Sequence, residues 1–299
     1  MDLTEAESAS DGSAVRIRGL AKDFKIPLRR KLFRAVDDVS LDVEEGEVYG
    51  LIGPNGSGKS TTMKVMLGIM SPTEGECRIF GRPAGRADSR REVGYLPENP
   101  YFYKHLTGAE TMRFYGGLCG LKGKALRQRA DELLDMVGLS DAADRRIGGY
   151  SKGMLQRIGL AQAVIHNPRL VVLDEPTAGV DPMGSRQIRD LILDLKKRGI
   201  TVFLTSHLLE QVQEVCDRVG IIFRGRMLRQ GRLDEMVAVE DQTEVVLSHP
   251  SPALLDRIQA LVADDEAASV VRMGHPRTSL ERLFIEATSE QAALEDETK

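Results

Sequence analysis

Gly53-Pro54-Asn55-Gly56-Ser57-Gly58-Lys59-Ser60 is the stretch whose reading decides the fold. Glycines spaced around a short insert, followed at once by Lys-Ser, let the backbone curl tightly, so that consecutive N–H groups face one anion. The apolar run Glu47–Ile52 ahead of it reads as a short strand. Lys59–Ile69 behind it reads as a helix stopped near Pro72. The loop then lies where a helix aims its positive end, and phosphate is the anion that suits it. Lys59 would reach the outer phosphates, and the Ser60 hydroxyl would bind Mg²⁺. A glycine-rich surface turn would not require this strand–loop–helix context.

Working outward, Leu170-Val171-Val172-Leu173-Asp174-Glu175 is an apolar run ending in two acids. It places carboxylates at the C-terminal end of a buried strand, where ligands bind in open α/β sheets. Asp174 can orient Mg²⁺ or its water, and Glu175 can serve as general base or positioner for an attacking water. Alone, such a pair would be a strand end meeting solvent. Together with the phosphate loop it reads as chemistry.

The rest of the chain alternates strands with helices. Strands are expected at Val15–Phe24, Val39–Val43, Cys77–Phe80, Val93–Leu96, Thr201–Leu204 and Val219–Phe223. Helices are expected at Ser151–His166, Gly184–Arg198 and Leu208–Cys216. This pattern argues for a mostly parallel α/β sheet. From about 100 to 166 the pattern is helical instead and looks like an insertion, with boundaries expected at Gly116-Gly117, Gly123 and Gly138. Residues 1–14 are polar, acidic and expected to be disordered. Lys25, Arg29, Arg30, Lys31 and Arg34 mark a basic loop or hairpin tip, which either is simply solvated or is drawn to an anionic membrane surface. Beyond about 240 the register changes to a small α/β appendage over 241–299: strands at Thr243–Ser248 and Ser269–Met273, helices at Pro252–Val262 and Leu280–Thr288, and a frayed tail from Ser289.

The chain has 299 residues, 41% apolar and 29% charged, with net charge −4. That leaves room for two domain-sized units and argues against nucleic-acid binding driven by net charge. Cys77, Cys119 and Cys216 are far apart with no CxxC, so a disulfide framework or structural zinc is not expected, and a reducing compartment fits. The start lacks the basic and apolar regions of a secretory signal. Nowhere do about 18 apolar residues run together to span a bilayer.

Tyr150-Ser151-Lys152-Gly153-Met154-Leu155-Gln156-Arg157 precedes the acidic pair, Gly179-Val180-Asp181 follows it, and His207 comes just after the strand at Thr201–Leu204. In this order, with the phosphate loop and the acids, residues 15 to about 240 resemble the ATP-binding cassette (ABC) ATPases. The three stretches are similar to that family's signature motif, D-loop and switch histidine. The resemblance implies a P-loop NTPase fold of the ABC type, α/β with a mostly parallel core sheet, an antiparallel β subdomain and the helical insertion. It implies ATP and Mg²⁺ as ligands and Mg²⁺-dependent ATP hydrolysis. Gly53, Pro54, Asn55, Gly56, Ser57, Gly58, Lys59, Ser60 and Thr61 would hold the nucleotide. Ser60, Asp174 and Glu98 would hold the metal, and Glu175 and His207 would be catalytic. Ser151, Lys152 and Gly153, at a helix start, would meet the ATP of a second cassette, either another copy or a related subunit, with Asp181 at that interface. Taken alone, Ser151 and Asp181 would serve equally well as plain helix caps.

The sequence departs from the family twice. Glu98, in Tyr95-Leu96-Pro97-Glu98-Asn99, stands where the family usually has glutamine. It keeps an oxygen ligand and adds a negative charge. Lys152 and Met154 replace the commoner glycine and glutamine of the signature. For adenine stacking, Phe24 is the candidate and Phe33 the runner-up, with a core role as the alternative for Phe24. Of 8 phenylalanines and 6 tyrosines, Tyr101, Phe102, Tyr103, Phe114 and Tyr115 fall close together. By resemblance they suit a groove for a membrane subunit, and otherwise they pack the helical insertion. Gly94–Asn99 and Ser279-Leu280-Glu281-Arg282-Leu283-Phe284 resemble single-cassette subunits of ABC-2 type exporters. That implies separately encoded transmembrane permease subunits and a peripheral place on the cytoplasmic face of the membrane. The alternative is a soluble ABC ATPase acting on ribosomes or nucleic acid.

Overall fold

The computed structural model describes residues 12–25, 32–237 and 247–263. Contacts divide the chain into two compact units, Met1–Val237 and Ala238–Lys299. In chain order the first unit begins with β1 (Ser13–Lys25), β2 (Leu32–Glu44), β3 (Val48–Ile52), α1 (Lys59–Met66), β4 (Glu74–Ile79) and β5 (Arg82–Pro83). It continues with α2 (Ala87–Arg90), β6 (Val93–Leu96), α3 (Gly108–Leu118), α4 (Gly123–Met136) and α5 (Lys152–Ala163). Then come β7 (Leu170–Asp174), α6 (Pro182–Lys197), β8 (Thr201–Ser206), α7 (Leu209–Val215), β9 (Arg218–Phe223), β10 (Arg226–Arg232) and α8 (Leu233–Val237).

The central strands are apolar on both sides because both sides are covered. Side chains alternate along a strand, and here the alternation sorts them between two cores. Val171, Leu173, Val202 and Leu204 join Ile158, Leu160, Ile188 and Ile192 from α5 and α6. Leu170, Val172 and Phe203 join Val15, Ile17 and Leu20 of β1 and Met63 and Met66 of α1. The main sheet runs β10-β9-β3-β8-β7-β6, with β9, β3, β8, β7 and β6 parallel and β10 antiparallel at the edge. A second, antiparallel sheet runs β2-β1-β4-β5. The parallel core sheet, the antiparallel sheet and the helical stretch are the architecture expected above.

Five expectations need correction. Ser13 and Ala14, expected to be disordered, open β1, and Arg34, expected in a basic loop, lies within β2 and pairs with Asp23. Gly116-Gly117 does not end a helix: α3 runs through both to Leu118. Gly116 is a contact point, where a Cβ would lie 2.5 Å from Leu126 Cδ1. β8 extends past Leu204 to Ser206, and its two extra residues matter to the site. β10 was not foreseen, because its Arg-rich sequence is mostly exposed and shows no apolar alternation. It returns from β9 through Arg224 and Gly225, with φ of 48° and 82°, the conformation a two-residue hairpin demands.

In the second unit the described residues form α9 (Pro252–Ala263), where a helix was expected. Residues 1–11, the basic residues Arg29, Arg30 and Lys31, residues 243–246 of one expected strand, and the elements and tail expected after 268 lie outside the described residues. Among the described residues no helix is long and apolar enough to cross a membrane.

Candidate active site

The phosphate loop joins the end of β3 to α1. Gly58 caps α1 with φ of 108°, a conformation open to glycine, and no side chain accepts from the helix's first N–H groups. No acid sits in the first turn either, so the helix offers its N–H groups to an outside anion. The loop is pressed against β9: at Gly53 a Cβ would lie 2.2 Å from the Ile222 carbonyl oxygen. The N–H of Gly225 donates to Ser57 O at 2.8 Å. Pro54, Asn55 and Gly56 are exposed at the rim, while Ser57 and Lys59 are buried. Ser60 is exposed and Thr61 half-buried at the helix start.

Lys59 is the buried cation of the site. Its Nζ donates to Gly53 O at 2.6 Å and Pro54 O at 3.3 Å, and lies 3.6 Å from Glu175 Oε1. Glu175 is itself buried and adopts φ of 48°, rare for a residue with a side chain. Its other oxygen, Oε2, accepts from His207 N at 3.2 Å and meets His207 Nδ1 at 2.8 Å. An ionised carboxylate only accepts, so Nδ1 carries the proton of that bond and Nε2 is left unprotonated in the neutral ring.

β8 organises the acids. Asp174 pairs in register with Thr205, whose Oγ1 donates to Asp174 Oδ1 at 2.7 Å. Glu175 N donates to the carbonyl and hydroxyl oxygens of the same threonine, at 3.1 and 3.2 Å. Burial pushes the Asp174 carboxyl above its usual range; the Thr205 hydrogen bond opposes this, and the charges of Glu175 and Glu98 add to it. Glu98 is exposed at the end of β6, close enough for its charge to act on Asp174. Its carbonyl accepts from Gln156 Nε2 at 2.6 Å.

Other expected residues lie elsewhere. Ser151 caps α5, accepting from Met154 N at 3.3 Å, with Lys152 exposed and Gly153 buried beside it. The start of α5 meets the 179–181 loop: a Cβ at Gly179 would lie 2.6 Å from Lys152 Nζ. Asp181 caps α6, accepting from Gly184 N at 2.9 Å. Among the described residues no hydrogen bond or ion pair joins Ser151, Lys152 or Gly153 to the phosphate loop. Phe24 is half-buried, opposite Phe33 in the β1–β2 pair, with Lys22 Nζ 5.6 Å from its ring centroid. The aromatic cluster divides: Phe102 is buried, while Tyr101, Tyr103 and Phe114 are exposed.

Thr205 and Gln156 escaped the sequence reading as site residues. Thr205 falls just after the expected end of its strand, and its role exists only in the β7–β8 register. Gln156 lies within the quoted signature stretch, but nothing in one dimension links it to Glu98.

The donor set fits Mg²⁺. A serine hydroxyl and two carboxylates are hard oxygen ligands, and Mg²⁺ takes few protein ligands beside substrate phosphates. The buried Ser57 Oγ, with no partner of its own, adds an unmet polar atom at the loop.

Comparison with known proteins converges on one family. The ABC transporter family model matches residues 36–178. An uncharacterized ABC transporter ATP-binding protein of Nostoc is 46% identical over 208 residues, which cover 69% of this chain and 62% of that protein, so the chain spans less than two thirds of that relative's length. A fluoroquinolones export ATP-binding protein of Mycobacterium tuberculosis is 35% identical over 93% of this chain and 94% of its own length. Among solved structures, the dimeric ATP-binding cassette MJ0796, in a post-hydrolysis state bound to ADP and Pi, superposes with a TM-score of 0.67 at 27% identity, covering 73% of this chain and 98% of that one. The chain belongs to the ATP-binding proteins of the ABC transporter family.

Proposed function

We propose that this chain binds and hydrolyses Mg²⁺-ATP as the nucleotide-binding subunit of an ABC-2 type exporter. One observation carries the reading: Lys59, Glu175 and His207 meet in a single bonded cluster on the phosphate loop. Lys59 exchanges its loop carbonyls for the β- and γ-phosphates, which Gly53–Ser60 and Thr61 surround with the N–H groups of every residue but Pro54. Ser60, Asp174 and Glu98 would hold Mg²⁺, which would supply charge neutralisation at the phosphates. Glu175 accepts a proton from, or orients, the attacking water. His207 holds Glu175 through Nδ1, and Nε2 donates to the γ-phosphate when both ring nitrogens carry protons. Phe24 stacks on adenine.

A second copy or a related subunit completes the site. Ser151, Lys152 and Gly153 stand at a helix start with no hydrogen bond to their own phosphate loop among the described residues, which suits a nucleotide on the partner, with Asp181 beside the same interface. Residues 15–240 form the cassette, with the helical subdomain at about 100–166, and 241–299 an appendage. Separate permease subunits supply the membrane path, and the chain sits peripherally at the cytoplasmic face. The name of the Mycobacterium relative supports export over the ribosome-directed alternative.

Two variants test this. Lys59→Ala should abolish ATP turnover in the purified protein, and turnover equal to wild type would sink the reading. Glu175→Gln should accumulate an ATP-bound dimer in sedimentation, and a chain that stays monomeric at saturating ATP would refute the sandwich.

A further inference from the structure

The buried face of α5 holds a residue out of character. Gln156 is wholly shielded from solvent, on a helix whose other buried residues are Gly153, Ile158, Gly159, Leu160, Ala161 and Ala163. A buried carboxamide costs free energy unless both its ends are bonded, and an apolar side chain of similar size would avoid that cost. Here half is met. Nε2 donates to Glu98 O, while Oε1 is buried with no partner.

The surroundings make that bond a tether. α5 touches the Glu98 segment on either side of it. At Gly159 a Cβ would lie 2.5 Å from Leu96 Cδ1 and 3.4 Å from Pro100 Cβ, and at Gly94 one would lie 2.1 Å from Ala163 O. Glu98 meanwhile shares the neighbourhood of Asp174 with Glu175. Three carboxylates repel, and the exposed one yields most easily. A bond to its backbone carbonyl opposes that outward push without touching the side chain that has to reach the metal. The same helix carries Ser151 as its cap, five residues ahead of Gln156, or about 7.5 Å at 1.5 Å per residue.

We propose that Gln156 is a positioning residue: it ties the backbone beneath Glu98 to the helix that presents Ser151, so that the metal-side carboxylate and the signature serine move as one piece. The inference rests on the nucleotide-site reading above. It also explains why an amide with an orphaned oxygen occupies a position where methionine would pack at no cost.

The test uses the full chain carrying Gln156→Met, which keeps length and volume and removes the donor. Without nucleotide, amide exchange in β6, the hydrogen-bonded strand that leads into Glu98, should quicken about tenfold, the worth of one hydrogen bond, while the melting temperature holds or rises. In ATP turnover, half-saturating Mg²⁺ should rise about tenfold, and the same change in a Glu98→Ala background should add nothing further. Unchanged exchange in β6, or effects that add in the double variant, would overturn the tether. So would loss of folding in both Gln156→Met and Gln156→Leu, since the amide would then be a structural requirement. Should the wild type turn over ATP no faster than Lys59→Ala, the ATPase reading falls, and the exchange result still decides the tether.

Discussion

Asp174 carries a conflict that Thr205 resolves only in part. Burial, Glu175 and Glu98 all favour its protonated form, and the Thr205 hydrogen bond works against them. A carboxyl raised above its unfolded value contributes stability at low pH that is lost as the pH climbs through the raised value. At neutral pH the protein therefore bears a charge it would fold better without. Asp174→Asn keeps the acceptor for Thr205 and removes that charge. Its melting temperature should exceed wild type at about pH 7–8, by about 2–4 °C per kcal/mol relieved, with ATP turnover lost. The gap should close as the pH falls into the raised carboxyl's range, and melts over the pH series check it. A variant no more stable than wild type at neutral pH would contradict the electrostatic account. At this scale the loop and the acids were legible as short contiguous motifs, and His207 only through its place after a strand and the family resemblance. Thr205 was not, since its work depends on which strand lies alongside.

At the scale of elements, close approaches between backbones outrank propensity. Gly94 stands between Val93 and Tyr95, and Gly116 opens the Gly116-Gly117 pair, so sequence alone marks the second as the break. A methyl at Gly94 would meet the carbonyl oxygen and carbon of Ala163 at 2.1 and 2.9 Å, backbone atoms that cannot step aside. At Gly116 it would meet the tips of Leu126 and Ile165 at 2.5 and 3.0 Å, which can rotate. Gly94→Ala should therefore cost about 3 kcal/mol and Gly116→Ala about 1 kcal/mol in denaturant unfolding. Equal losses would mean that helix–sheet contact does not set the requirement. The same reasoning explains where elements were readable. Strands with both faces covered announced themselves as apolar runs, and the expected boundaries at Val93–Leu96 match β6. The helix break expected at Gly116-Gly117 failed because glycine there serves a neighbour. β10 left no trace because an edge strand facing water needs no apolar pattern.

At the scale of the molecule, the aromatic cluster separates stability from association. Phe102 belongs to the core that α5 and β6 share, so Phe102→Ala should cost about 3–5 kcal/mol. Tyr103 is 50% and Phe114 41% exposed, and their rings meet edge to face with centroids 5.6 Å apart. Tyr103→Ala and Phe114→Ala should leave the melting temperature and basal ATP turnover near wild type while reducing recovery of a polytopic partner from membranes. Undiminished recovery would overturn the reading of this face as a permease contact. The turn at Arg224-Gly225 has a wider meaning. Gly225 donates to Ser57 O and accepts from Asp37 N, both at 2.8 Å, so residues far apart in the chain form the floor on which the phosphate loop rests. A fragment trimmed to the stretch the family model matches, 36–178, would keep every letter of that loop and lose its footing. The motif is thus not portable. Grafting or excising it transfers nucleotide affinity only if β2 and the β9–β10 hairpin travel with it, which makes the last hairpin of the sheet as heritable a part of the site as its lysine.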